Sequence, residues 1–171
     1  MTGSSRDIST KVSEEKSTDR WILPIMGRLI YYAGIAASVL DIEVLRQGRF
    51  TFDLIAILGV ALFIAGLGLY LISRLTLGRF YSETVRIMPE HKLITKGPYR
   101  IIRHPIYLGE ILIFLSIPVI LGSIFGFVIM LLLIPMILLR IRIEEKVLHS
   151  KFGEEYDEYA SRTKKLVPCV Y

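Results

Sequence analysis

The sequence predicts an all-α, polytopic membrane protein of about four transmembrane helices, in which spans 3 and 4 form a helix-turn-helix hairpin and an amphipathic cytoplasmic helix follows. Three observations carry that prediction. Hydrophobic residues make up 53% of the 171 and the mean hydropathy is positive, which is more apolar surface than a small soluble core can hide. Several uncharged runs are long enough to cross a hydrocarbon core of about 30 Å. Charged residues gather at both ends of the longest run, Ile111 to Leu139: the segment Gly97 to Glu110 precedes it and Arg140-Ile141-Arg142-Ile143-Glu144-Glu145 follows. If that run folds back on itself, the two polar clusters meet at one membrane surface, where a site can receive a lipid substrate from the side.

Residues 1 to 20 are polar and balance four basic against four acidic residues, so a disordered tail is expected before a single membrane-embedded domain at 21 to 171. The apolar stretch from Trp21 to about Leu40 makes roughly 30 Å of helix at about 1.5 Å per residue, a first span rather than a signal-peptide core. Arg28 lies inside it, close enough to one end to snorkel, yet an ionisable residue within a span is also a site candidate. A second span follows Asp53, from Leu54 to about Ile72, with Gly59, Ala61, Ala65, Gly66 and Gly68 available for close helix contact. Gly66-Leu67-Gly68 is not a nucleotide loop, because no strand precedes it and no third glycine follows at the needed spacing.

As one helix the run Ile111 to Leu139 would measure about 44 Å, so it should break, and Gly122-Ser123 with Gly126 mark the place. The third span is then Pro105 to about Leu121 and the fourth Ser123 to about Arg140, with His104 and Arg140 facing each other. Pro105 suits a first helical turn, and Pro118 and Pro135 are positions for kinks. Beyond Arg142 a helix should continue to about Arg162, with Leu148, Phe152, Tyr156 and Tyr159 forming an apolar stripe that rests on lipid, closes over a bound cofactor, or does both.

Charge sets the expected orientation. Seven Lys or Arg lie between Arg74 and Arg103, seven more from Arg140 onward and four in the first 20 residues, against two, Arg46 and Arg49, in the loop between the first spans. Four spans with both termini cytoplasmic fit that distribution, and the net charge of +5 favours anionic lipids at that face. No aromatic-basic module suggests nucleic acid. The single cysteine, Cys169, excludes an intramolecular disulfide and a Cys-rich metal site. His104 has no ligand spacing with His91 or His149, so no metal is expected.

Among the remaining polar residues, Arg140 and Glu144 share a helix face. They form either a plain ion pair or a preorganised polar pair at the mouth of a lipid cavity. Arg103, Arg140 and Arg142 can mark the membrane edge. Glu110 lies five residues into the third span, where a charge is costly unless it faces a cavity or a cationic partner.

The stretch Leu93-Ile94-Thr95-Lys96-Gly97-Pro98-Tyr99-Arg100-Ile101-Ile102-Arg103-His104-Pro105-Ile106-Tyr107-Leu108-Gly109 is followed, after two spans, by Arg140, Glu144-Glu145, Phe152-Gly153-Glu154-Glu155-Tyr156 and Leu166-Val167-Pro168. Together these resemble the isoprenylcysteine carboxyl methyltransferase family and the related phospholipid methyltransferases, over roughly the C-terminal half. The resemblance implies a membrane enzyme using S-adenosylmethionine. The cofactor would be bound by Leu93, Gly97, Tyr99, the Arg103-His104 turn and Tyr107, with help from Glu145 and the Phe152-Gly153 region, and Arg140 and Glu144 would sit nearest the transferred methyl. The Gly109-Glu110 pair departs from some relatives. The expected acceptor is the C-terminal carboxylate of an isoprenylated cysteine or similar lipophilic acid, entering from the bilayer. The alternatives are N-methylation of a phospholipid amine and a non-catalytic scaffold whose basic loops bind lipid.

Overall fold

The computed structural model describes residues 4–45, 52–81 and 92–167. Arg46, Arg49, His91, Pro168 and Cys169 lie outside them. The first helix, α1, is continuous over Ser4–Leu40 and runs into a π-helical turn, Asp41–Leu45. It therefore passes through residues expected to be disordered. Helix propagation from an existing apolar segment costs far less than nucleation, and the Lys, Glu and Arg of this stretch are good helix formers, so the span extends its own N-terminal end.

Helix α2, Leu54–Leu77, starts at Asp53, whose carboxylate accepts the amides of Ile55 and Ala56, both at 3.0 Å. It runs past the expected Ile72 before Gly78, at φ 55°, turns the chain into a short 3-10 segment, Gly78–Phe80. The hydroxyls of Ser73 and Thr76 bond back to the carbonyls of Leu69 and Ile72, so this polar last turn stays helical without solvent.

The predicted hairpin is present. Helix α3, Pro105–Ile120, ends in a turn at Gly122 (φ 65°), where the Ser123 hydroxyl caps the next helix by accepting the Gly126 amide at 3.0 Å. The returning arm is divided into α4, Ile124–Leu131, and α5, Leu133–Phe152. The division at Leu132 follows from Pro135, which has no N–H for the Leu131 carbonyl and crowds it. Pro118, by contrast, is accommodated within α3.

Three stretches, Ile22–Val44, Leu54–Phe80 and Ile124–Phe152, are long and apolar enough to cross a membrane. The expected third span is shorter, since the 16 residues of α3 reach only about 24 Å. The expected continuous helix to Arg162 is also broken: Gly153, at φ 52°, ends α5 and redirects the chain into α6, Glu154–Arg162. A positive φ at this position suits glycine, which has no Cβ to clash.

Helices α2 and α3 form the most extensive pairing. Ala56, Gly59, Gly66 and Ser73 make the buried seam of α2, a spacing that keeps one face toward α3. A Cβ on Gly66 would lie 2.9 Å from the Gly109 carbonyl oxygen, and one on Gly109 would lie 2.9 Å from both the Gly66 carbonyl oxygen and the Tyr70 amide nitrogen. Of the small residues expected at helix contacts, Gly59 and Gly66 serve there. Ala61 and Ala65 are exposed and Gly68 meets nothing within 4 Å. Across the bundle Met130, Leu133, Ile137, Ile141 and Leu166 form an apolar cluster on which Tyr31 and Phe114 pack.

Candidate active site

The first arm of the site is folded by its backbone. Gly97, at φ 60°, and Pro98 open a 3-10 turn, Gly97–Arg100, that buries Tyr99. Tyr159 of α6 donates its hydroxyl to the Tyr99 carbonyl at 2.8 Å. The chain after α6 then lies alongside this loop: Arg103 N donates to the Lys164 carbonyl at 2.8 Å, Lys164 N to Ile101 at 3.1 Å, and His104 N to Lys165 at 3.2 Å. Two residue-long ladders of this kind need side-chain support, and Arg103 supplies it. Its Nη1 donates to the Ala160 and Thr163 carbonyls at 2.9 and 2.6 Å, and its Nε to Glu145 Oε1 at 3.0 Å. Lys165 Nζ closes the knot on Glu145 Oε2 at 2.8 Å.

This arrangement ties α5, the loop before α3 and the C-terminal strap together. Arg103→Ala is therefore expected to free the strap, leaving two carbonyls and Glu145 short of a donor. Hydrogen exchange should show residues 160–167 losing protection while the α2–α3 seam keeps it, with a loss of about 3 kcal/mol or more for breaking a partly buried ion pair.

The second arm is built by the hairpin. Pro105 starts α3, and Tyr107 lies within its first turn. Its hydroxyl donates to Glu144 Oε2 at 2.8 Å and accepts from Arg140 Nε at 2.9 Å. The pair expected on one face of a helix is thus joined through a tyrosine from the other arm of the hairpin. A cavity of about 960 Å³ opens beside this array and is lined by Leu93, Tyr99, Arg103, His104, Tyr107, Arg140 and Glu144. Seven of the nine residues singled out in the sequence therefore face one space. Gly97 and Glu145 do not: Gly97 turns the loop against Thr76, and Glu145 sits behind, holding Arg103 and Lys165.

Tyr31, Tyr32, Tyr70, Phe80 and Tyr81, all lining the cavity, were not anticipated. Their only sequence signal is that aromatics cluster near span ends, a pattern shared with ordinary interfacial belts. Arg74 stacks over the Tyr81 ring, 4.6 Å from its centre.

Burial pushes the Tyr99 and Tyr156 phenols well above their ordinary range, and pushes Tyr159 up to about 12 against the opposing pull of Arg103. Burial, with Tyr70 adding to it, raises Tyr81 as well. These phenols stay neutral at physiological pH and act as surfaces and hydrogen-bond partners, not as bases. His104 is 3% exposed. Its buried Nε2 lies 3.4 Å from Glu145 Oε1, within ion-pair distance but without the alignment of a hydrogen bond, so its hydrogen-bonding capacity is not filled.

A family model for phospholipid methyltransferases matches residues 54–155. A probable protein-S-isoprenylcysteine O-methyltransferase of Oryza sativa subsp. indica is 33% identical over 119 residues, 68% of this chain and 62% of the relative. The protein-S-isoprenylcysteine O-methyltransferase B of Arabidopsis thaliana is 34% identical over 115 residues, 66% of this chain and 58% of the relative. The chain thus spans about three fifths of the length of the curated relatives it matches. The solved structure of the eukaryotic intramembrane Ras methyltransferase, an isoprenylcysteine carboxyl methyltransferase, superimposes with a TM-score of 0.74 at 23% identity, over 84% of this chain and 52% of that one, and shares its fold.

Proposed function

This chain belongs to the phospholipid methyltransferase family, and from that membership we propose that it is an integral membrane methyltransferase whose acceptor is the carboxylate of an isoprenylated cysteine or a similar lipophilic acid. The observation that carries the proposal is the Arg140–Tyr107–Glu144 array at the wall of a cavity set among apolar helices. Similarity to isoprenylcysteine O-methyltransferases supports the choice of acceptor.

The residues present fit S-adenosylmethionine. The cavity offers aromatic faces, which favour a sulfonium, and a buried, unsatisfied His104 Nε2. Leu93, Tyr99, His104 and Tyr107 would hold the cofactor, with Gly97 shaping the loop. Arg103 and Glu145 would act from behind by fixing that loop and His104. When bound, the cofactor supplies an electrophilic methyl group on sulfur.

A carboxylate acceptor is ionised at neutral pH and needs no base. Arg140 orients it by charge-assisted hydrogen bonds, Tyr107 fixes the Arg140 head and the Glu144 carboxylate, and Tyr159 of α6 contributes to the cavity wall. Methyl transfer from the cofactor's sulfur to the carboxylate oxygen would move no proton, so no residue here has to act as a base. Phospholipid N-methylation is the second reading, favoured by Glu110 and Glu144 in the same cavity, since an ammonium acceptor must lose a proton to a carboxylate. The N-terminal end of α1 and the Lys- and Arg-rich ends of α2, α3 and α5 would lie on the cytoplasmic side, in contact with anionic lipids.

The test is transfer of labelled methyl from S-adenosylmethionine by purified protein in lipid, with a farnesylated cysteine derivative and phosphatidylethanolamine offered separately. Base-released methanol from the cysteine product is the expected result. Base-stable label in the phospholipid would establish the second reading, and no transfer together with no cofactor binding would leave a lipid-binding scaffold.

A further inference from the structure

Arg28 is the charged residue that the mechanism above does not use. It lies within the apolar stretch Ile22–Val44 of α1, and its side chain lines the cavity. Among the described residues it has neither a hydrogen-bond nor an ion-pair partner. A cation held in a span without a counter-charge is costly, and such residues mark the path of a substrate or ion.

Register along the helices shows what it faces. Tyr31 of α1 and Phe114 of α3 pack with ring centres 5.2 Å apart, on the cluster that contains Ile137 of α5. One helical turn nearer the site, these three helices present Arg28, Glu110 and Arg140, and all three line the cavity. Glu110 comes from α3, whose most extensive packing is with α2. Arg28 and Arg140 come from α1 and α5, which pack together. The level beside the candidate site therefore carries two guanidinium groups on adjoining helices, α1 and α5, and a carboxylate on α3.

We infer that Arg28 is a specificity-determining residue: with Arg140 it clasps the anionic oxygens of a lipid-anchored acceptor. Two arginines fit a carboxylate or a phosphodiester, planar or tetrahedral oxygens that accept paired N–H groups. The inference rests on the methyltransferase reading for the identity of the acceptor, though anion binding itself needs no turnover.

The experiment measures direct binding as well as kinetics, in nanodiscs of neutral lipid, for wild type, Arg28→Gln and Arg28→Lys. The probes are N-acetyl-S-farnesylcysteine, its carboxamide and phosphatidylethanolamine. Arg28→Gln is expected to raise Kd and KM for the acid about 10- to 100-fold, with kcat and cofactor affinity nearly unchanged and partial recovery in Arg28→Lys. The carboxamide should bind weakly to both wild type and Arg28→Gln. If only phosphatidylethanolamine binding weakens, the anion clasped is the phosphodiester. Unchanged binding of both the acid and the phospholipid by a folded Arg28→Gln overturns the inference and leaves Arg28 snorkelling to the interface. Arg28-dependent acid binding by a wild type that transfers no methyl would instead sink the reaction and keep the clasp.

Discussion

Arg140→Ala is expected to lower kcat by roughly 10²- to 10³-fold while leaving cofactor affinity within about threefold, the size of effect seen when one preorganised donor is removed from a reaction centre. Arg140 is held by the Tyr107 hydroxyl at 2.9 Å, so its head group is placed before any acceptor arrives. Removing it also strips Tyr107 of its donor and leaves Glu144 as the dominant charge beside the incoming carboxylate, which repels it. Tyr107→Phe separates the two contributions. It keeps both charges but removes the hydroxyl that spaces them, and should cost less than Arg140→Ala. If Tyr107→Phe reduces turnover as far as Arg140→Ala and the double variant is no worse, the array acts as one unit. Single-turnover methyl transfer with saturating cofactor checks this, and an Arg140→Ala protein of undiminished rate would remove Arg140 from the chemistry.

The second large effect concerns assembly. Gly109→Leu should destabilise the bundle by about 3 kcal/mol or more, at or beyond the upper end of ordinary overpacking, because the new side chain meets backbone and not a flexible tip. Even its Cβ would stand 2.9 Å from the Gly66 carbonyl oxygen and the Tyr70 amide nitrogen. The helices must separate, and the Tyr70 side of the cavity moves with α2. Gly68→Leu is the control: a Cβ there meets nothing within 4 Å, and replacing a helical glycine facing lipid should be neutral or slightly stabilising. Thermal unfolding in detergent, compared between the two, reads the difference. Equal melting temperatures would mean the α2–α3 seam is looser than drawn.

Much of the candidate site's arrangement was legible because its residues sit at helix ends fixed by local signals. Gly122-Ser123 marked the hairpin, and a hairpin of that length forces Tyr107, Arg140 and Glu144 to one level. Gly153 was harder to interpret, since helical periodicity runs straight across it from Leu148 to Tyr159 while the positive φ is set by docking of α6 on the loop before α3. The strap was invisible for a related reason: Lys164 and Lys165 look like solvated charges, and only the fold brings them to Ile101, His104 and Glu145. The helix from Ser4 was missed because composition alone registers polarity and not the helical nucleus next door. Glu145 was expected to help bind the cofactor on resemblance, and the sequence did not show that Arg103, His104 and Lys165 would surround it.

The strap also sets an order of construction. The seam between α2 and α3 joins segments close in sequence, and the hairpin can form once α5 has entered the bilayer, but the backbone groups of Ile101, Arg103 and His104 that bond the strap wait until Lys164 and Lys165 have left the ribosome. Docking of the strap is thus the last step of folding open to the nascent chain. A protein interrupted before Thr163 would lack the backbone bonds that Arg103 and His104 make to Lys164 and Lys165, leaving the loop before α3 braced from one side only.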